Sequence, residues 1–324
     1  MNGATRPRLT PLLLASFAAV FLIWGSTYLA IRYAIETIPP LTMAGLRFLA
    51  AGAILFPVAY LTGDRAHDRL TAVHWRSALV IGSLLLLASN GVITLAEQHV
   101  ASGLVALLVA TVPLWMAVLG HATQVQRVSR VGAAGLAAGL LGVGLMLRPG
   151  SAGAVSPGWI AFTLISPLAW AVGSIYARSA PMPRRSLLAT SMEMLCGGAV
   201  ICVAAALLGE WGQFHPGAIS AVSLAGFAYL VVAGSLVGYT AYTYLNGRVS
   251  PQAASSYAYV NPLVAVLLGW AVAGESVTPM TLVAGGLIVL AVVILLAGGR
   301  RRAVQPGADA VERPCPAATE GEVA

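Results

Sequence analysis

The sequence predicts an all-α integral membrane protein of ten transmembrane helices, built as two inverted repeats of five. Three observations carry this. The 324 residues are 58% hydrophobic and 9% charged, with a mean hydropathy of +0.85, whereas a soluble domain carries about 25% charged residues because its surface needs them. Uncharged runs long enough to cross a hydrocarbon layer about 30 Å thick recur along the chain. Arginine is also confined almost entirely to alternate connections between those runs.

Taken in order, the runs place spans at 10–32, 41–62, 77–96, 101–121, 131–148, 157–179, 186–208, 220–246, 250–273 and 279–298. The first follows Arg6 and Arg8 and stays uncharged from Leu9 to Ile31. The apolar core of a cleavable signal peptide covers only about 7–15 residues, so this run reads as a retained helix. Thr10-Pro11, Ser156-Pro157, Ser250-Pro251 and Thr278-Pro279 each set a hydroxyl N-cap before a proline at the first helical position. Runs this long and apolar must satisfy their backbone internally, which leaves helix as the option.

All eighteen basic residues are arginine. With the N-terminus inside, fifteen fall on cytoplasmic segments, two (Arg32 and Arg148) fall outside, and Arg47 lies within a span. That bias puts both termini in the cytoplasm. It also explains the net charge of +7 without a nucleic-acid surface, since the arginines form no stripe. The expected organisation is an N-terminus at 1–9, a first repeat at 10–148, a connecting loop at 149–156, a second repeat at 157–298 and a disordered cytoplasmic tail at 299–324.

The repeat shows in matched positions. Trp24 and Tyr28 are echoed by Trp170 and Ser174, and Pro113-Leu114 by Pro262-Leu263. Asn90, Ile93 and Glu97 fall opposite Tyr239, Tyr242 and Asn246. Five helices per half means the second half enters from the opposite side, an arrangement found in secondary transporters with their site between the halves.

Hydrolase, P-loop and metalloprotease motifs are absent from the sequence. The five histidines fall at span ends or loops, and Cys196, Cys202 and Cys315 show no metal or redox spacing. No cofactor, metal or catalytic dyad is expected, and a membrane-embedded enzyme has no support. The spans instead carry polar and aromatic residues at helical spacing. Trp24, Tyr28, Asn90, Trp170, Ser174, Tyr239, Tyr257 and Asn261 are the candidate substrate-binding residues, each weighed against packing or an interfacial aromatic belt. Arg47 and Glu193 are the intramembrane charges, and Glu193 is the candidate coupling carboxylate. Gly135 and Gly139 form a GxxxG that reads as scaffold and a candidate homodimer contact.

Trp24-Gly25-Ser26-Thr27, Ile38-Pro39-Pro40-Leu41 and Leu46-Arg47-Phe48 resemble the opening of the EamA branch of the drug/metabolite transporter superfamily. Ala169–Tyr176, Val249–Gly269 and Gly274-Glu275 resemble its second repeat. The resemblance implies ten helices in two inverted EamA repeats, and export of amino acids or related small metabolites across the bacterial cytoplasmic membrane. Multidrug or nucleobase export is the alternative. Where the first repeat often carries Gly-Glu after its fourth span, this chain has Val125-Gln126.

The arginine count makes a direct prediction. With the native cysteines replaced, a cysteine at Gly212 should react with an impermeant maleimide added outside intact cells. Reaction only from the cytoplasmic side would reverse the orientation.

Overall fold

The computed structural model describes residues 10–62, 70–122, 130–147, 155–246, 248–249 and 256–302. Among these, the chain forms ten helical runs and no strand. They are α1 (Pro11–Ala34), α2 (Pro40–Leu61), α3 (Ala72–Ala96), α4 (Ser102–Ala122), α5 (Arg130–Met146), α6 (Pro157–Ala177), α7 (Ser186–Leu207), α8 (Ala221–Tyr229, Leu230–Val237 and Gly238–Asn246), α9 (Tyr257–Ala273) and α10 (Pro279–Arg302). Seven of them, α1–α4 and α6–α8, include stretches long and apolar enough to cross a membrane; Val131–Met146, Val260–Ala273 and Pro279–Ile294 are shorter apolar helices. Two 3₁₀ turns, Glu210–Gly212 and Pro216–Ala218, connect α7 to α8.

The helix starts follow local chemistry. Thr10 accepts from the Leu13 amide at 3.2 Å and Thr278 from the Thr281 amide at 3.0 Å, as hydroxyl N-caps do. Ser156 stands at the start of α6 but its side chain makes no cap bond. Gly274 ends α9 in the left-handed conformation at φ +63°, where an L side chain would be strained. The third span starts earlier than hydropathy alone implies, at Ala72, because Thr71 and His74 close a capping box ahead of the apolar run. The N-terminus 1–9, most of the 149–156 loop, the Ser250-Pro251 start, Val125-Gln126 and the tail beyond 302 lie outside the described residues.

Contacts between the halves obey an exchange rule in which α1–α5 swap roles with α6–α10. Helix α2 packs on α7, and α5 on α10; α1 packs on α8 and α9, while α6 packs on α3 and α4. Glycines permit the closest approaches. A Cβ on Gly82 would stand 2.7 Å from the Glu193 carbonyl oxygen and the Gly197 amide nitrogen, and one on Gly198 would stand 2.8 Å from the Leu49 amide. In a membrane such small faces replace the hydrophobic effect as the means of close helix association. The Gly135 and Gly139 face is used within the chain, against Ile294, Ala291 and Leu114.

One feature was not legible beforehand. Residues Ser83–Gly91 of α3 and Leu230–Val237 of α8 form π-helical turns at equivalent places in the two halves. Breaks at Ala110–Thr111 and at Leu164 divide α4 and α6, each two or three residues before a proline (Pro113, Pro167) that cannot donate to the preceding turn.

Gly82→Ala should therefore lower the thermal stability of the detergent-purified protein by about 1–3 kcal/mol through overpacking. Gly144→Ala, where nothing lies within 4 Å of the added methyl, should leave it unchanged or raise it.

Candidate functional site

The site grows around Trp24 in the middle of α1. Its ring packs on Tyr239 at 5.3 Å, Tyr242 at 5.1 Å and Tyr257 at 5.1 Å between centroids, the last edge-on at 88°. Tyr242 and Tyr257 also meet edge-on at 5.8 Å. These are the offset and T-shaped geometries that aromatic quadrupoles favour. Trp24 belongs to the first repeat, and its three partners come from α8 and α9 of the second.

The π-turn in α8 supplies the polar anchor. Within this turn the Gly234 carbonyl accepts from the Trp24 indole Nε1 at 3.2 Å. The next residue, Ser235, accepts from Arg47 Nε at 3.1 Å. Arg47 is 5% exposed and its guanidinium lies 4.8 Å from the Phe48 ring centroid, so it turns inward to the α2–α8 contact rather than snorkelling out. Asn261 is buried, and its amide, oriented as its surroundings require, donates to the carbonyls of Phe21 and Tyr257 at 3.2 Å each. It ties α9 to α1 beside Trp24.

Of the residues singled out from sequence, Trp24, Tyr239, Tyr257 and Asn261 are thus brought together. Tyr28 lies one turn from Trp24 along α1 and packs into the core that contains Ile93 and Ala96. Asn90 serves the π-turn of its own helix, donating to Leu85 O at 2.9 Å. Trp170 and Ser174 sit half-buried on α6, and Trp170 is not among the ring partners of Trp24. Glu193 is half-buried on α7, with Tyr239 and Cys196 within range of its charge. Among the described residues it has no ion-pair partner. Sequence reasoning missed Tyr242 and Ser235 as site residues. Tyr242 was in view as an echo of Ile93, but Ser235 matters only because the π-turn aims it at Arg47.

At one end of the bundle two carboxylates cross between the repeats. Glu275 Oε1 accepts from the Ser102 amide at 2.9 Å, the Ser102 hydroxyl at 2.8 Å and Arg32 Nη1 at 3.1 Å, and its Oε2 accepts from the Gly103 amide at 3.1 Å. Glu210 accepts from the Leu41 amide at 3.2 Å and, through Oε2, from the Thr42 amide at 2.7 Å and hydroxyl at 3.1 Å. Each side chain caps a helix of the other repeat, where free amides and the helix dipole favour an anion. An open hollow of about 430 Å³ lined by Leu95, Gln98, Ser156, Gly158, Trp159 and Phe162 flanks the same end. Among the described residues no group of three His, Cys, Asp or Glu is placed to hold a metal.

A polytopic helical protein with two like halves sharing one aromatic site is the architecture of a membrane transporter. The chain belongs to the EamA-like transporter family, whose profile matches residues 10–148 and 157–297. It is 40% identical over 288 residues, 88% of this chain and 90% of the other, to a protein of Escherichia coli K12 described as the uncharacterised inner membrane transporter YedA. Protein PecM of Dickeya dadantii is 26% identical over 299 residues, 88% and 93% of the two chains. A solved crystal structure superposes with a TM-score of 0.60 at 17% identity, covering 90% of this chain and 98% of that one, which shows a shared fold.

Trp24→Phe keeps an aromatic ring but deletes the indole donor. It should cost about 1 kcal/mol of stability, the net worth of one hydrogen bond, read as a lower melting temperature in detergent. An unchanged melt would show that the Gly234 carbonyl is satisfied elsewhere.

Proposed function

We propose that the protein is a secondary transporter of the bacterial cytoplasmic membrane that exports amino acids or related small metabolites by alternating access. In this reading all ten helices cross the membrane, the repeats are inverted, both termini are cytoplasmic, and the Glu275 end faces outside. The observation that carries it is the Trp24 cluster: one repeat inserts an indole among three tyrosines of the other, so any rocking of the halves opens or closes that site. Flat rings offer apolar contact, while Asn261 and the tyrosine hydroxyls offer hydrogen bonds, a combination that suits small amphipathic solutes. Trp170 and Ser174, at equivalent places in the second repeat, belong to the opposite wall of the same path. The π-turns give α3 and α8 a place to bend at matched depth.

Glu193 is assigned the coupling role. It lies seven residues into α7, about 10 Å along a helix rising 1.5 Å per residue, facing Tyr239 without a cationic partner. A carboxylate so placed can be protonated in one access state and ionised in the other.

Counterflow in proteoliposomes tests the reading. Vesicles preloaded with single unlabelled amino acids should accumulate the labelled form above empty vesicles, and Asn261→Ala should cut the rate at least about tenfold, roughly 1.4 kcal/mol in the barrier, with unchanged membrane insertion. Exchange of a nucleobase but of no amino acid would favour the alternative cargo, and no exchange of either would sink the reading. Glu193→Gln should retain counterflow and lose accumulation driven by an imposed pH gradient.

A further inference from the structure

Glu97 closes α3 at the end where Glu275 caps α4. It is 5% exposed, and neither carboxyl oxygen has a hydrogen-bond partner among the described residues. The other two buried glutamates at this end are fully engaged. Glu275 accepts four hydrogen bonds and Glu210 three. Glu97 stands apart in taking none.

The charged groups around it are accounted for. Glu275 comes from the α9–α10 connection, Arg32 from α1 and Arg47 from α2, all close enough for their charges to act on Glu97, and Tyr28 on α1 lies in the same field. Arg32 is spent on Glu275 at 3.1 Å, and Arg47 is turned to Ser235. His99, two residues on, stacks on Trp159 at 3.9 Å. None of these groups donates to Glu97 among the described residues.

An ionised carboxylate buried without donors loses its hydration and gains nothing in return, a cost of several kcal/mol that real sites avoid by binding a proton or a cation. A metal ion would need several ligands around it, and among the described residues no group of three His, Cys, Asp or Glu is placed to hold one. A proton needs only one. We propose that Glu97 is a proton-binding site that controls the outer gate: the Arg32–Glu275–Ser102 clamp closes over a protonated Glu97, and loss of that proton opens it. The release mechanism is electrostatic. Ionised Glu97 would stand beside Glu275 as a second anion and compete for Arg32, weakening the link that ties α1 and α4 to the second repeat. Opening then returns the carboxylate to water, where the charge is stable.

This rests on the alternating-access reading above, so its test uses no transported solute and can fail without touching the counterflow result. The full chain in proteoliposomes is titrated by infrared difference spectroscopy, and a cysteine at the fully buried Ala96 is labelled with an impermeant maleimide from outside. Native cysteines are replaced, and rates are divided by those of a cysteine at Gly212 to remove the pH dependence of thiol reactivity. The expected result is a protonated-carboxyl C=O band that vanishes in Glu97→Gln and persists in Glu193→Gln. Normalised labelling at residue 96 should rise about fivefold or more as the medium is taken from acid to alkaline and the charged form becomes populated, and be flat in Glu97→Gln, whose amide stays neutral. A band unaffected by Glu97→Gln, or the same pH dependence of labelling in that variant, would overturn the proposal.

Discussion

Amides buried at a helix start have no water to satisfy them, and this constraint shapes the Glu275 end of the molecule. The first amides of α2 and α4 find their acceptors in Glu210 and Glu275, both contributed by the second repeat. Removing either carboxylate would orphan two buried amides, at about 1–3 kcal/mol each, and the hydroxyl beside them. The caps therefore join the halves as well as ending helices.

The site depends on the same economy of backbone groups. A π-turn costs hydrogen-bond quality, and each of the two here is supported by a polar side chain. Asn90 reaches back five residues to Leu85, and Trp24 reaches across to Gly234. In α3 the support is local, so the turn is a self-contained element. In α8 it comes from the opposite repeat, so the shape of α8 and the position of the indole are set together. A change at Trp24 consequently acts on the α8 backbone as well as on the ring cluster.

Polar groups also tie α1 to the second repeat along its length. Toward one end it holds Trp24 and accepts from Asn261 through the Phe21 carbonyl; toward the other it sends Arg32 to Glu275. The Ser26 and Tyr229 hydroxyls meet at 2.6 Å between these points. A helix tied to α8, α9 and the α9–α10 connection along its length therefore carries contacts between the repeats at several depths.

Much of this was readable without coordinates, because burial in lipid writes itself into composition. The helical class, the apolar runs, the two repeats and the Gly274-Glu275 turn follow from hydropathy, spacing or a family pattern. The unreadable parts share one cause: they depend on what another helix brings to the same place. Nine residues of π-helix have too few turns to distinguish their period from 3.6. Asn90 looked like a site residue because an intramembrane amide needs a partner, and only the folded helix shows that the partner is five residues away. Glu97 falls one residue past the span drawn at 77–96. Its burial without a donor is a property of α1, α2 and the α9–α10 connection closing around it, and no local pattern encodes that.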